Sequence, residues 1–239
     1  MVDIDNIRHG HLIRRYKRFF AEVDSNEGLL LSHCANTGSM KSLLHPEQKA
    51  LVSWVDNPKR KLKYTLQALQ MPNGAWACVN TQLPNAIVAN AILAGKIAEF
   101  KNVVQIQREV KYGLENSKID ILLDQQGQSV YIEVKNATLL ENIPSGHCEF
   151  PDSVSTRGQK HIRELMEVVA KGHRGVLFFL VNRGDALSFG PAAHIDPIYA
   201  NLLEEAIAAG VEILIYKTKL QVKQDSLQIS IDEALPYHI

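Results

Sequence analysis

The stretch from Arg108 to Lys135 sets the narrowest limits on what this chain can fold into. Ser117-Lys-Ile-Asp-Ile-Leu-Leu123 and Val130-Tyr-Ile-Glu-Val-Lys-Asn136 are two runs rich in β-branched residues. The polar segment Asp124-Gln-Gln-Gly-Gln128 separates them, so the pattern predicts a hairpin. Side chains alternate along a strand, which puts Glu133 and Lys135 on one face. Asp120 lies near the start of the partner run and comes beside Glu133 once the hairpin closes. Two carboxylates and an ammonium then share one spot on a sheet otherwise made of Ile, Leu and Val. Such charges are costly there unless they are paired or bound to a metal.

One chemistry needs that arrangement. Two oxygen-donor carboxylates suit Mg²⁺ or Mn²⁺, which keep several waters and take further ligands from substrate phosphate. The ion lowers the pKa of a bound water and neutralises charge on a phosphodiester. A lysine two residues from the carboxylate can orient that water or stabilise developing negative charge. Asp120, Glu133 and Lys135 are therefore the candidate catalytic residues, with Asp120 and Glu133 as the metal ligands. The pattern resembles the PD-(D/E)xK nuclease motif, with Ile119 in place of the proline before Asp120. The plainer reading is an edge hairpin with a surface ion pair between Glu133 and Lys135, since Glu-x-Lys is common.

A chain of 239 residues has room for one large or two modest domains. Its formal net charge of zero excludes a protein that coats DNA with its whole surface. The charge is uneven, however: residues 1–80 carry +4 and residues 81–239 carry −4. Cys34, Cys78 and Cys148 are odd in number and far apart, without a Cys-x-x-Cys pair. That argues against a disulfide framework or structural zinc and fits a reducing compartment. No signal-peptide core or membrane-spanning run is visible, so a cytoplasmic protein without a membrane partner is expected.

Residues 1–80 read as an all-β domain. Short apolar runs recur at Leu29-Leu31, Leu51-Val55, Tyr64-Met71 and Trp76-Val79, the last two separated by the turn Pro72-Asn-Gly74. About five strands in this length suit a small barrel of the OB type, which binds oligonucleotides across one face, although strand count alone also allows an SH3-like barrel. Two basic clusters lie here. Arg8, Arg14, Arg15, Lys17 and Arg18 interleave with Tyr16, Phe19 and Phe20, and Lys59, Arg60, Lys61 and Lys63 precede Tyr64. Cations beside aromatics neutralise phosphate and stack bases; they serve equally as a solvated face around core aromatics. The intervening loop Cys34-Ala-Asn36-Thr37-Gly-Ser-Met40 could cradle a phosphate on backbone N–H groups, or be an ordinary turn.

Residues 81–239 read as a second, mixed α/β domain. Pro84 marks a helix start, and Ile87, Val88, Ala91, Ile92 and Ile97 carry helical spacing to Glu99 or Phe100. A strand from Val103 to Tyr112 and the hairpin form a meander. Glu99 and Glu109 are both candidate extra acidic groups, and spacing does not choose between them. Residues 141–150 read as a loop, and a helix follows from Thr156 to Gly172. Arg157, Lys160 and His161 occupy its start, where the helix dipole favours phosphate, and beside Glu133 and Lys135 they would hold the scissile strand; the plainer reading is solvent exposure, above all for His161. His147 and Cys148 lack a second pair at ligand spacing. Gly175–Asn182 is a strand buried on both faces, Asp196-Pro197 caps a helix ending at Gly210, and Val211–Tyr216 is a further strand. The order α-βββ-α-β-α-β contains the core of the restriction-endonuclease-like fold.

Arg14-Arg-Tyr-Lys-Arg-Phe19, His33-Cys-Ala-Asn-Thr-Gly-Ser-Met40, Asn57-Pro-Lys-Arg-Lys61, Glu109-Val-Lys-Tyr-Gly113, Ser117-Lys-Ile-Asp120, Tyr131-Ile-Glu-Val-Lys135 and Arg157-Gly-Gln-Lys-His161 together resemble the sugar fermentation stimulation protein A family. The resemblance covers almost the whole chain. It implies a DNA-binding protein with an N-terminal OB domain and a nuclease-like domain, linked to the regulation of sugar (maltose) metabolism. Two functions follow: a metal-dependent nuclease acting on DNA, single- or double-stranded, or on RNA, and a non-catalytic DNA-binding regulator that keeps the fold. Base preference and oligomeric state are not written in the sequence.

Overall fold

The computed structural model describes residues 1–112 and 117–238. Gly113, the last residue of one motif above, lies outside them.

Strands β1 (Val2–Asp5), β2 (Ile7–Tyr16), β3 (Phe20–Ser25), β4 (Gly28–His33), β5 (Lys49–Trp54), β6 (Tyr64–Gln70) and β7 (Trp76–Cys78) occupy the first part of the chain. The barrel closes on itself: β2 pairs with β3, β3 with β4, β4 with β6, β6 with β5, and β5 with β2. Closure rests on a short parallel contact, Ser32↔Tyr64 and His33↔Thr65. Five strands closed in this order make an OB barrel, and β7 adds to β6 outside the ring. Leu12, Ala21, Val23, Leu30, Val52 and Leu66 fill its interior. Their period-two spacing along each strand is what directs them inward.

The strand β1 is not part of the barrel. It pairs antiparallel with β15 (Ser226–Ala234) at the edge of a seven-stranded sheet, in the order β1-β15-β14-β12-β10-β9-β8. Here β8 is Val103–Tyr112, β9 Ser117–Gln125, β10 Gln128–Ala137, β12 Arg174–Val181 and β14 Glu212–Val222. The strands β8, β9 and β10 form the expected meander; β10, β12 and β14 run parallel. The centre of the sheet is β12, buried on both faces, which explains its unbroken apolar run. The helix α1 (Pro84–Leu93) covers one face through Ile87, Val88 and Ile92. The helices α2 (Thr156–Ala170) and α3 (Pro197–Ala208) cover the other through Ile162, Leu165, Leu203 and Ala206.

Two expectations need correction. The first helix ends at Leu93, because Gly95 adopts a left-handed φ of +64° that breaks the ladder; Ile97 and Phe100 are buried from irregular backbone. Residues 141–150 are not a bare loop: a 3₁₀ turn at Ile143–Ser145 leads into β11 (His147–Phe150), which pairs with β13 (Ser188–Pro191). Among the described residues no helix is long and apolar enough to cross a membrane.

Candidate functional site

The hairpin register places the charged groups. The paired register of β9 and β10 ends at Ile121 opposite Ile132, and Asp120 and Glu133 lie just beyond it. The Asp120 carboxylate turns toward β10 and accepts the Val134 N–H on Oδ2 at 2.8 Å. Its Oδ1 accepts the Asn85 amide at 2.7 Å, from the first turn of α1. Glu133 points to the α2 face and is 3% exposed. Its Oε1 accepts the Lys135 ammonium at 2.7 Å and also meets Nδ1 of His161. Its Oε2 is buried with no hydrogen-bond partner.

The two carboxyls are pushed in opposite directions. Burial and the negative charge of Glu133 raise Asp120 above the ordinary aspartate range, against the Val134 N–H, Asn85 and Lys135. Burial also works against ionised Glu133, but the His161 hydrogen bond and the Lys135 charge outweigh it and hold Glu133 low. Nearby, Glu164 of α2 is buried with neither oxygen hydrogen-bonded, and Lys160 Nζ lies 3.9 Å from its Oε1. Tyr112 lies near these carboxyls. Its phenol is pushed well up by burial and by Glu133, Glu164 and Asp120.

His161, for which solvent exposure was the plainer of two readings, is 6% exposed. It falls on the apolar side of α2 beside Ile162 and Leu165, so the helix carries it onto the sheet. Its ring joins the site at both nitrogens: Lys135 Nζ lies 3.2 Å from Nδ1, and Arg157 Nε lies 3.4 Å from Nε2. The signal was present as His at i+4 from Arg157, but one polar residue on an amphipathic helix gives no direction by itself. Glu99 and Glu109 lie in different surroundings. Glu99 accepts the Tyr216 hydroxyl at 2.8 Å, away from the cluster, whereas Glu109 shares the Asn85 amide with Asp120, at 3.5 Å.

The basic residues of the barrel are placed unequally. Arg14 is engaged by Glu22 at 2.7 Å and lies over the Tyr16 ring, which stacks on Phe20. Arg15 turns inward and donates to the carbonyls of Arg18, Asn36 and Gly38. Lys17 and Arg18 form the exposed turn between β2 and β3, both at positive φ. Asn36 is buried, and its Oδ1 takes the Gly38 N–H at 2.9 Å, while Thr37 is exposed. Arg60 donates to Thr65; Lys59 and Lys61 are exposed. The loop holding Asn36 and Thr37 continues to Ser42, which bonds Thr138 O and Leu140 N just beyond β10. The structure thus brings the barrel loop to the end of the strand that carries Glu133 and Lys135.

Among the described residues no three His, Cys, Asp or Glu side chains gather closely enough to hold an ion alone. Asp120 and Glu133 fit instead an ion that keeps much of its water, because the donors are hard oxygens and one of them, Glu133 Oε2, is buried without a partner. The three cysteines are buried free thiols, and burial pushes Cys78 and Cys148 up to about 12.

A closed five-stranded barrel joined to a meander-and-crossover sheet defines an OB domain linked to a restriction-endonuclease-like domain. Residues 13–79 match the SfsA N-terminal OB domain and residues 82–224 the sugar fermentation stimulation protein RE domain. The chain belongs to the sugar fermentation stimulation protein family. A sugar fermentation stimulation protein homolog of Geobacter sulfurreducens is 47% identical over 228 residues, 95% of this chain and 94% of the relative. One of Shewanella loihica is 48% identical over 222 residues, 92% and 94% of the two chains. Among solved structures, Pyrococcus furiosus SfsA in complex with Ca²⁺ aligns with a TM-score of 0.86 at 26% identity, covering 100% of this chain and 98% of that one.

Proposed function

We propose that this protein binds nucleic acid and hydrolyses its phosphodiester bonds, using Mg²⁺ or Mn²⁺ held by Asp120 and Glu133. The observation that carries this reading is Glu133 itself: a buried carboxylate beside Asp120, with one oxygen fixed by Lys135 and His161 and the other unpartnered. The Ca²⁺ complex of the Pyrococcus furiosus relative supports a divalent ion. When bound, the ion would activate a water and offset charge on the phosphodiester.

The chain's own groups have separate tasks. The Lys135 ammonium, 2.7 Å from Glu133, supplies positive charge where the phosphorane oxygens develop theirs. Arg157 and Lys160 lie on the first turns of α2, where the helix dipole adds to their attraction for phosphate. The barrel carries the neighbouring strand on Arg14, Lys17, Arg18, Lys59, Arg60 and Lys61, with Arg15 tying the Asn36–Thr37 loop to β2. Residues 1–80 thus supply binding and residues 81–239 chemistry, with β1 lent to the larger sheet. Three free thiols fit work in a reducing cytoplasm.

A binding regulator without cleavage is the second reading, favoured by the Lys135 ammonium and the His161 ring that already satisfy Glu133 Oε1. Incubation with labelled single- and double-stranded DNA and RNA, in Mn²⁺ and in EDTA, separates the two. Hydrolysis is expected in Mn²⁺ alone, with Glu133→Gln lowering it by about 10³-fold. If no substrate is cut and Glu133→Gln binds DNA as the unmodified protein does, the enzyme reading is lost.

A further inference from the structure

We infer that His161 is a positioning residue that decides which oxygen of Glu133 is presented to a cation. The inference rests on the metal reading above and adds to it a residue outside the Asp…Glu-x-Lys pattern. A guanidinium can only donate, so Arg157 Nε at 3.4 Å requires a lone pair on His161 Nε2. The ring proton then sits on Nδ1 and is donated to Glu133 Oε1. Lys135 Nζ also only donates; with Nδ1 protonated, its 3.2 Å approach to the ring is a contact between donors, and its hydrogen bond goes to Glu133.

Two donors from different elements therefore converge on one oxygen. Lys135 comes from the same strand as Glu133, on a flexible stem, and by itself would let the carboxylate turn and exchange its oxygens. His161 comes from α2, whose first turn is locked in place. The Ser155 hydroxyl accepts the Gly158 N–H at 3.0 Å, and Gln159 donates to both oxygens of Asp196 at 3.0 and 3.1 Å. Asp196 in turn accepts the Ser155 N–H at 2.9 Å and caps α3 through Tyr199 N–H. A Cβ at Gly158 would come within 2.7 Å of Ser155 Oγ and 3.0 Å of Tyr199 Cε2, so only glycine fits at this packing. The imidazole thus has a fixed origin, a fixed tautomer and one target. The consequence is that Oε2, buried and unpaired, is the oxygen left for the ion.

The test compares His161→Leu, which removes the donor, with His161→Asn, whose amide can place an N–H near the Nδ1 position. Mn²⁺ affinity is read by electron paramagnetic resonance, and the tautomer of His161 in the unmodified protein by ¹⁵N chemical shifts. Expected are the Nδ1–H tautomer, Mn²⁺ binding weakened about 10- to 100-fold by His161→Leu, and most of that loss restored by His161→Asn. Unchanged Mn²⁺ affinity in His161→Leu overturns the inference while leaving the metal reading intact, and so does an Nε2–H tautomer. Absence of Mn²⁺ binding by the unmodified protein overturns both.

Discussion

Asp120 and Glu133 are chemically alike and adjacent, yet their surroundings divide them. Glu133 has the Lys135 ammonium and the His161 ring on one oxygen, whereas Asp120 has neutral donors and a negative neighbour. A carboxyl held low in the folded state adds stability above its unfolded pKa and loses it as pH falls through the folded value. Glu133 belongs to that case. Asp120 is the reverse: its folded pKa is raised, so no penalty exists below the ordinary aspartate range, and one grows as pH rises toward the folded value. Asp120→Asn is therefore expected to raise the thermal midpoint of the metal-free protein at neutral pH. Melting curves across pH should show this gain vanishing in acid, and the same substitution should abolish metal-dependent cleavage. A gain that persists unchanged below the aspartate range would contradict this account. The hairpin that carries Asp120 and Glu133 was legible in the sequence; that Asp120 bonds to α1 while Glu133 faces α2 was not, because the paired ladder stops at Ile121 and Ile132. His161 was legible only as one of two readings, since its partner lies 28 residues away and the contact depends on how α2 docks.

At the scale of elements, local pattern was enough wherever an element is defined by its own residues. The β8–β10 meander, the doubly buried β12 and the capped helices α2 and α3 all carried their signals in periodicity and end residues. Elements that exist only through a distant partner left little trace: β1 is four residues long and meaningful only against β15, and β11 needs β13. The barrel shows how one residue can govern an element. Gly10 on β2 has the backbone of β3 pressed against it, so that an added Cβ would lie 2.2 Å from Asp24 O and 2.6 Å from Val23 Cγ1. Backbone cannot yield as a flexible side chain can. Gly10→Ala is expected to cost about 1–3 kcal/mol by overpacking, measured as a lower denaturant midpoint; a neutral effect would show that β2 and β3 can part locally.

For the whole molecule, the joint between barrel and sheet is built from polar contacts with a buried charge at the centre. Arg183 is 0% exposed and forms a two-pronged pair with Asp185, at 2.8 Å on each prong. It also donates to Thr138 O at 3.1 Å and, more distantly, to Ser42 O of the barrel loop. Asn73 of the barrel reaches Asp185 as well, and Cys78 N–H bonds Asn182 O at 2.9 Å. Arg183→Met strands the buried Asp185 carboxylate and is expected to cost about 3–5 kcal/mol. Calorimetry should then resolve separate melting of the barrel and the larger domain where the unmodified protein melts as one unit. A single, unshifted transition would mean that the other contacts hold the joint without it.

The pairing of β1 with β15 also dictates an order of assembly. The barrel can close as soon as β6 has left the ribosome, but Val2–Asp5 must stay unpaired until residues beyond Ser226 are made. The growing polypeptide therefore carries a loose leading thread past a finished globule, and the edge of the larger sheet is hemmed only when that thread and Leu227–Ile229 finally meet.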